Sequence, residues 1–216
     1  MKVGAAQDFI MTKKAIIFDL DNTIYSVLSI GHDLFHSLFE LIIKYGHHIE
    51  NMDKIKDDIM RRPFQLVAND YDFGETLIQK ATHLLQNLTY NDPIEFYPDY
   101  KFVRLFQADK FLVTTGFKKL QQSKIEKLCI AEDFIEIHII DPTATTTTKK
   151  DVFADIMQRH NYNSTDILVI GDDLNSEIKA AIELNIEAVL YAPELRIAGM
   201  SGIRPIQSFE ELRAYF

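Results

Sequence analysis

The feature that most constrains the fold is a short apolar run, Ala15–Phe18, followed at once by two aspartates, Asp19 and Asp21. Such a β-branched and aromatic run is typical of a buried strand in a parallel sheet. Open α/β sheets bind ligands at the carboxyl ends of their strands, where both aspartates would lie. Residues two apart in an extended segment point the same way, so both carboxylates would face one pocket. A cation or a shared proton would relieve the repulsion between them. The alternative is an ordinary acidic turn.

The composition is that of a folded chain without the features of a nucleic-acid-binding protein. The 216 residues are 47% hydrophobic and 25% charged, which suits one α/β domain or a compact domain with a smaller insertion. The formal net charge of −9, with no basic stripe, argues against nucleic acid as a partner. We find no signal peptide and no membrane span, and expect a cytoplasmic protein that does not bind membranes.

The single cysteine and the start of the chain allow two smaller expectations. Cys129 excludes an intrachain disulfide and, lying between two apolar residues, is expected to be buried. Residues 1–10 are a possible disordered extension, and the sequence leaves open whether translation starts at Met1 or Met11.

The hydrophobic pattern changes twice after the first strand. Between residues 26 and 92, apolar residues recur at helical spacing without a strand signal, which predicts a helical insertion. Beyond residue 98, strands alternate with helices, which predicts a parallel sheet covered on both faces. The predicted strands are 15–18, 110–113, 134–140, 166–170 and 188–190, and the helices beyond the insertion are 102–106, 118–128, 151–160 and 176–184. We therefore predict an α/β fold with a doubly wound parallel sheet, in which residues 11–25 and 93–216 form the core domain and 26–92 an inserted helical domain.

Two later segments bring anion-binding groups to the same edge of the sheet. Thr114 and Thr115, followed by Gly116, would offer a hydroxyl and backbone N–H groups to an anion, although Thr115 could instead cap a helix. Lys149 and Lys150 lie just ahead of a predicted helix, where a cation opposes the helix dipole. Neutralising a phosphate or a carboxylate cluster would explain a lysine there, and a solvated pair on a loop is the alternative.

A second acidic cluster follows the strand at 166–170. Gly171 ends the strand, and Asp172 and Asp173 bring further carboxylates to the same edge, which is costly without a cation. A helix cap would explain one of these residues but not the cluster. Together with the first aspartates, the hydroxyl and the lysine, this cluster outlines a site for Mg²⁺ and a phosphate group.

In this order, the motifs resemble those of the haloacid dehalogenase superfamily, specifically its phosphatase branch with a helical cap inserted after the first strand of a Rossmann-like sheet. The matching residues are 19–23 for the first motif, Thr114 for the second, Lys149 or Lys150 for the third, and Gly171, Asp172 and Glu177 for the fourth. The resemblance covers residues 13–211. The chain departs from the usual pattern in three places: no proline follows the lysine, Thr115 replaces a frequent asparagine, and Glu177 replaces the more usual aspartate.

The resemblance implies a role for each carboxylate. Asp19 would attack phosphorus to form an aspartyl-phosphate, and Asp21 would act as general acid and then general base. The carboxylates of Asp19 and Asp172, with the backbone carbonyl of Asp21, would bind Mg²⁺. Glu177 and Asp173 would lie behind these ligands and orient metal-bound waters or the lysine.

The resemblance also implies how the phosphoryl group is bound. Thr114 and the N–H of Thr115 would contact phosphoryl oxygens, and the lysine would offset charge near the nucleophile. We prefer Lys149 to Lys150 because Phe153, four positions beyond Lys149, matches the commoner spacing.

The expected activity is Mg²⁺-dependent hydrolysis of a small phosphomonoester. Asp21 favours this activity over dehalogenation, because dehalogenases of the family lack an acid at this position. The alternatives are a phosphomutase with the same site and a non-catalytic ligand-binding protein on the same scaffold. The sequence identifies neither the substrate nor the oligomeric state, and solvated side chains better explain His32, His36, Arg61 and Arg62 in the cap.

Overall fold

A six-stranded, entirely parallel sheet organises the computed structural model, which describes residues 13–45, 49–193 and 203–216. The strand order is β3-β2-β1-β4-β5-β6. The strands are β1 (Ala15–Phe18), β2 (Asp109–Thr115), β3 (Glu136–Ile140), β4 (Ile167–Gly171), β5 (Glu187–Tyr191) and β6 (Arg204–Ile206). The predicted doubly wound, Rossmann-like α/β fold is confirmed. The expectations about residues 1–10 and the starts at Met1 and Met11 lie outside the described residues.

Strand β1 lies in the middle of the sheet and is buried on both faces. Ala15 pairs with Asp109 on one side and with Ile167 on the other. Ile16 and Phe18 enter one hydrophobic core, whereas Ala15 and Ile17 enter the core on the opposite face. This two-sided burial explains why the strand is a continuous apolar run rather than an alternating one. The loop after β1 therefore emerges where the strand order reverses, which is where open α/β sheets bind ligands.

Helices fill the chain between β1 and β2. They are α1 (Leu28–Leu34), α2 (His36–Lys44), α3 (Met52–Arg61), α4 (Phe64–Asp70) and α5 (Glu75–Asn87). We call residues 28–87 the helical insertion. Their apolar faces pack against one another, and α5 also contacts the helix at Lys118–Leu128 in the core. The prediction of a helical segment here is confirmed, whereas its division from the core as a separate domain stays a prediction.

The core helices lie between the later strands. They are α6 (Lys118–Leu128), α7 (Lys149–His160) and α8 (Glu177–Glu183). Helix α7 begins two residues before the predicted start at Asp151, because Thr148 caps it. The Thr148 hydroxyl accepts a hydrogen bond from the Asp151 N–H, and the Asp151 carboxylate accepts one from the Thr148 N–H at 2.8 Å. The prediction that Lys149 and Lys150 precede the helix was therefore wrong, since both lie in its first turn.

Two further features differ from the sequence prediction. Strand β6 was not predicted, because it is three residues long and contains Pro205, which only an edge strand tolerates. The segment predicted as a helix at 102–106 belongs to a longer 3₁₀ helix, Pro98–Leu105. Among the helices that the structure describes, none has the length and apolar character needed to cross a membrane.

The expectation that Cys129 is buried was wrong. Cys129 is exposed, because it ends α6 in the left-handed conformation, with φ of 51°. This conformation turns the side chain away from the apolar face formed by its helical neighbours. Its thiol lies 3.4 Å from the carbonyl oxygen of Glu126.

Candidate active site

The loop after β1 carries both aspartates of the first motif. The N–H of Asp19 donates to the carbonyl of Ile170 at 3.0 Å, which extends the pairing with β4 to the first aspartate. Asn22 then adopts a positive φ of 56°, which asparagine tolerates better than most residues. The Asn22 side chain accepts a hydrogen bond from the N–H of Val27 at 3.0 Å. The loop thus keeps Asp19 at the sheet edge and turns the chain into the helical insertion.

Lys149 lies buried between two carboxylates. Its Nζ donates to Asp19 Oδ1 at 2.5 Å and to Glu177 Oε2 at 2.7 Å. Although burial alone would lower the pKa of Lys149, the charges of Asp19 and Glu177 raise it above its usual range. Lys150, one position along, is exposed and pairs with Glu183 at 2.9 Å. The structure therefore brings Lys149 to the candidate nucleophile and leaves Lys150 on the surface.

Glu177 reaches this position because residue 171 is glycine. A Cβ on Gly171 would lie 2.1 Å from Glu177 Oε1, which is impossible without displacing the glutamate. Oε1 accepts a hydrogen bond from the Asp173 N–H at 2.7 Å, while Oε2 accepts from Lys149. Both oxygens of Glu177 are thus used to orient the lysine and the loop after β4. The Asp173 carboxylate accepts from the N–H of Asn175 at 2.8 Å, within the same loop.

Asp172 completes an acidic cluster with Asp19 and Glu177. One carboxylate oxygen from each of the three lies within 4.8 Å of the others. Burial raises the pKa of Asp172 to about 8, and the nearby charges of Asp19 and Glu177 add to this effect. Burial also raises the pKa of Asp19, with a further contribution from Glu177, against the opposing effect of Lys149. Carboxylate oxygens that repel one another at the end of a strand are the donor set that a hard divalent cation prefers, so these residues fit Mg²⁺.

Asp21 is held by side chains that sequence reasoning did not identify. It accepts hydrogen bonds from Lys124 Nζ at 2.8 Å, Gln121 Nε2 at 2.9 Å and the Tyr25 hydroxyl at 2.5 Å. Burial alone would raise the pKa of Asp21, but the Lys124 ammonium and these hydrogen bonds outweigh it and lower the pKa. Gln121 and Lys124 are three residues apart and therefore share one face of α6. Their three-residue spacing in the helix after Thr114 is a local signal, but it does not identify Asp21 as their partner.

The end of β2 supplies the candidate phosphate-binding groups. Thr114 is buried, and its Oγ1 accepts a hydrogen bond from Gln121 Nε2 at 2.6 Å. Thr115 is half-buried and does not cap α6, whose N-cap is Phe117, so that alternative was wrong. A Cβ on Gly116 would lie 2.9 Å from Gln121 Cδ, so glycine leaves room for this amide beside the strand end.

These groups line one side of a cleft, and the helical insertion lines the other. Asp19, Asp21, Thr114, Lys149 and Asp172 all face it, as do Thr115, Asp173 and Glu177. Of the cap candidates, Arg61 lines the cleft from an exposed position. Arg62 also lines it but forms an ion pair with Asp70 at 2.5 Å. His32 and His36 are exposed and do not line it, and His36 pairs with Glu40 at 3.2 Å.

The structure thus combines a parallel sheet, an aspartate–lysine pair and an acidic cluster at the carboxyl edge of that sheet, and a helical insertion beside them. The haloacid dehalogenase-like hydrolase family matches residues 13–185. The chain belongs to this family, as the order of its motifs predicts. The comparison with curated proteins gives no match.

Solved structures of low sequence identity share the fold. The HAD-hydrolase YfnB from Bacillus subtilis, described as bound to magnesium, is 17% identical with a TM-score of 0.63, over 93% of this chain and 97% of that one. A HAD phosphatase from Thermococcus onnurineus is 20% identical with a TM-score of 0.61, over 93% and 96%. A 2-haloacid dehalogenase from Pseudomonas syringae pv. Tomato DC3000 is 14% identical with a TM-score of 0.56, over 94% and 97%. Because both phosphatases and dehalogenases share this fold, the reaction has to be argued from the site.

Proposed function

We propose that the protein is a Mg²⁺-dependent phosphatase that hydrolyses a small phosphomonoester through an aspartyl-phosphate on Asp19. The observation that carries this proposal is the presence of a second acid, Asp21, in the same cleft as the Asp19–Lys149 pair. In dehalogenation the group displaced by the nucleophile is a halide ion, which leaves without a proton, whereas the alkoxide displaced from an alkyl phosphate needs an acid. Asp21 therefore favours phosphatase chemistry over dehalogenation.

In the proposed reaction, each side chain acts on a stated atom. An oxygen of Asp19 attacks phosphorus as the bond to the leaving oxygen breaks. Asp21, which carries a proton in the substrate complex although Lys124 lowers its pKa in the free protein, donates that proton to the leaving oxygen. Asp21 then takes a proton from the water that hydrolyses the aspartyl-phosphate, which returns both carboxylates to their starting states. Thr114 and the N–H of Thr115 bind phosphoryl oxygens, while Lys149 offsets negative charge at the nucleophile.

The carboxylates of Asp19 and Asp172, with the backbone carbonyl of Asp21, would hold the metal ion. Bound Mg²⁺ supplies positive charge that lets a phosphate dianion approach the acidic cluster and fixes its orientation. Glu177, whose oxygens are both engaged, supports this set by positioning Lys149. We further propose that residues 26–92 act as a cap domain over the core domain, because the helical insertion forms the second wall of the cleft.

The proposal is tested by phosphate release from p-nitrophenyl phosphate in Mg²⁺ and in EDTA, with halide release from a 2-haloacid measured alongside. Metal-dependent phosphate release without halide release is the expected result. Halide release would instead identify a dehalogenase. If neither product forms with folded protein, a bisphosphate-dependent transfer assay would distinguish a phosphomutase from a non-catalytic binding protein.

We expect Asp21→Asn to separate alkyl from aryl substrates. Loss of the proton donor should lower hydrolysis of an alkyl phosphate by about 10²–10⁴-fold, the usual contribution of general acid–base catalysis. Formation of the aspartyl-phosphate from p-nitrophenyl phosphate should be less affected, because its leaving group needs no protonation. Single-turnover release of p-nitrophenol and steady-state hydrolysis of ethyl phosphate measure the two effects, and full activity toward ethyl phosphate would refute the role of Asp21.

Without divalent metal, we expect the folded state to become less stable as the pH rises toward about 8, the pKa of Asp172 in the fold. Because folding raises this pKa, the folded state holds a proton that the unfolded chain has lost. The stabilising contribution is complete below the unfolded pKa and is lost as the pH rises through the folded one. Mg²⁺, which binds the ionised form, should therefore stabilise the protein more at high pH.

Urea unfolding between pH 5 and 9, in EDTA and in Mg²⁺, measures this pH dependence of the free energy of unfolding. Asp172→Asn should reduce the slope of the EDTA profile and leave the part due to Asp19, whose pKa is also raised. An unchanged slope in that variant would contradict the assignment.

A further inference from the structure

The helical insertion lines the cleft mostly with apolar side chains, and its polar lining residues are Arg61, Arg62 and Gln65. The helical insertion contributes the buried side chains Phe35, Leu38, Ile59, Met60, Phe64 and Leu85. Phe117 and Leu120 extend this surface from the core beside Thr114. A polyhydroxylated or charged group placed against such a surface would lose its hydrogen bonds to water without gaining others.

Gln65 is the uncharged polar side chain that the insertion contributes to this lining. Gln65, in the first turn of α4, lines the cleft, and its Nε2 is buried with no hydrogen-bond partner among the residues that the structure describes. A buried donor without a partner is costly, because it has given up its hydrogen bonds to water. A ligand acceptor that meets this amide would remove that cost.

The charged groups of the insertion lie nearer the solvent. The guanidinium of Arg62 is engaged by Asp70, and Arg61 is exposed where it borders the cleft. The buried lysines of the cleft belong to the core and are already paired, Lys124 with Asp21 and Lys149 with Asp19 and Glu177. A second anionic group against the insertion would therefore find no free buried cation among the described residues of that wall. The part of the substrate that faces the apolar wall is accordingly uncharged.

We propose, building on the phosphatase function above, that the leaving group is an uncharged and largely apolar body, such as an aromatic or heteroaromatic alcohol, with one hydrogen-bond acceptor that Gln65 recognises. The phosphate lies at the strand ends, the apolar body lies against the insertion, and the acceptor meets Gln65 Nε2. Sugar phosphates and glycerol phosphates are poor substrates in this arrangement.

The first test compares esters of primary alcohols, which all need a protonated leaving oxygen. We expect kcat/KM for benzyl phosphate to exceed that for glycerol 3-phosphate and glucose 6-phosphate by roughly tenfold or more. One methylene group buried in an apolar pocket already changes the ratio of kcat/KM between two substrates by about tenfold. Equal or reversed preference would overturn the inference.

The second test addresses the acceptor. For the better of 3-acetylbenzyl and 4-acetylbenzyl phosphate, kcat/KM in the wild type should exceed that of benzyl phosphate by roughly threefold to tenfold, the effect of one net hydrogen bond. Gln65→Leu should abolish this ratio. Gln65→Glu should abolish it too, because a carboxylate offers only acceptors. Gln79→Leu, an exposed glutamine in α5 of the same insertion, is the matched control and should keep the wild-type ratio.

The outcomes distinguish failure of the leaving-group assignment from failure of the proposed phosphatase function. The protein could release phosphate from p-nitrophenyl phosphate but show no preference for apolar esters, or the ratio of kcat/KM for acetylbenzyl to benzyl phosphate could be unchanged by substitution of Gln65. Either result overturns the assignment of the leaving group and leaves the phosphatase function standing. Absence of phosphate release from every ester, with folded and Mg²⁺-loaded wild type, overturns both. Thermal unfolding of each variant verifies that the fold is retained.

Discussion

Asp19→Asn is expected to lower phosphate release by at least about a thousandfold, because the removal of a covalent nucleophile leaves only the residual effects of binding and charge. An amide neither attacks phosphorus nor carries the charge that a metal ligand contributes. The fold should survive, since Lys149 keeps its contact with Glu177 at 2.7 Å and one of the mutually repelling charges has been removed. The loss should therefore appear in kcat while the midpoint of thermal unfolding stays at or above that of the wild type.

The intermediate provides a direct measurement of the role of Asp19. Acid-quenched wild-type protein incubated with radiolabelled phosphomonoester should carry label that hydroxylamine removes, and Asp19→Asn should carry none. Asp155→Asn, prepared in the same way, is the control for contaminating phosphatases, because Asp155 is exposed and pairs with Arg159 at 2.7 Å. Labelling of folded Asp19→Asn at the wild-type level would show that another residue is the nucleophile.

Lys149→Met should have the largest effect on stability, whereas Lys150→Met should have almost none. Lys149 is buried between Asp19 and Glu177, and removing one partner of a buried ion pair costs about 3–5 kcal/mol. Lys150 is exposed, so its replacement should change the free energy of unfolding by less than about 0.5 kcal/mol. The two variants remove the same group from adjacent residues, which makes each the control for the other.

Urea unfolding in EDTA measures the difference in the free energy of unfolding between the two variants. The pH dependence of this difference gives its cause. At low pH the carboxylates left by Lys149→Met can take up protons, so the loss of stability should shrink toward pH 5 and grow toward pH 9. Mg²⁺ should offset part of it at high pH. Identical unfolding curves for the two variants would mean that the buried lysine does not offset the negative charge of the acidic cluster.

The fold and the family could be predicted because their signals are local in sequence. Strand β1 is buried on both faces and is therefore a continuous apolar run, and the aspartates follow it directly. The choice between the two lysines was also encoded locally. Lys149 lies on the buried face of α7 at helical spacing from Val152, Phe153 and Ile156, while Lys150 points away from this face.

The partners of Asp21 could not be predicted in this way, because they depend on tertiary structure. Gln121 and Lys124 are 100 and 103 residues from Asp21 along the chain. In a single sequence, a glutamine and a lysine in an amphipathic helix indicate solvent exposure, yet both are buried here. Cys129 illustrates the converse, since its apolar neighbours suggest burial and the left-handed end of α6 exposes it. Gln65 likewise carries no local signal of its unpaired amide.

The central position of β1 has a consequence for the time course of folding. Its neighbours in the sheet, β2 and β4, are both remote in sequence. By contrast, β2 with β3 and β4 with β5 are each joined by a short connection that contains a single α-helix. Pairings across long loops cost more closure entropy and form more slowly than pairings across short ones. We therefore expect the flanking strand pairs to form first and β1 to join them late. Regain of catalytic activity during refolding should then lag behind regain of helix and sheet, because the last strand to arrive carries Asp19.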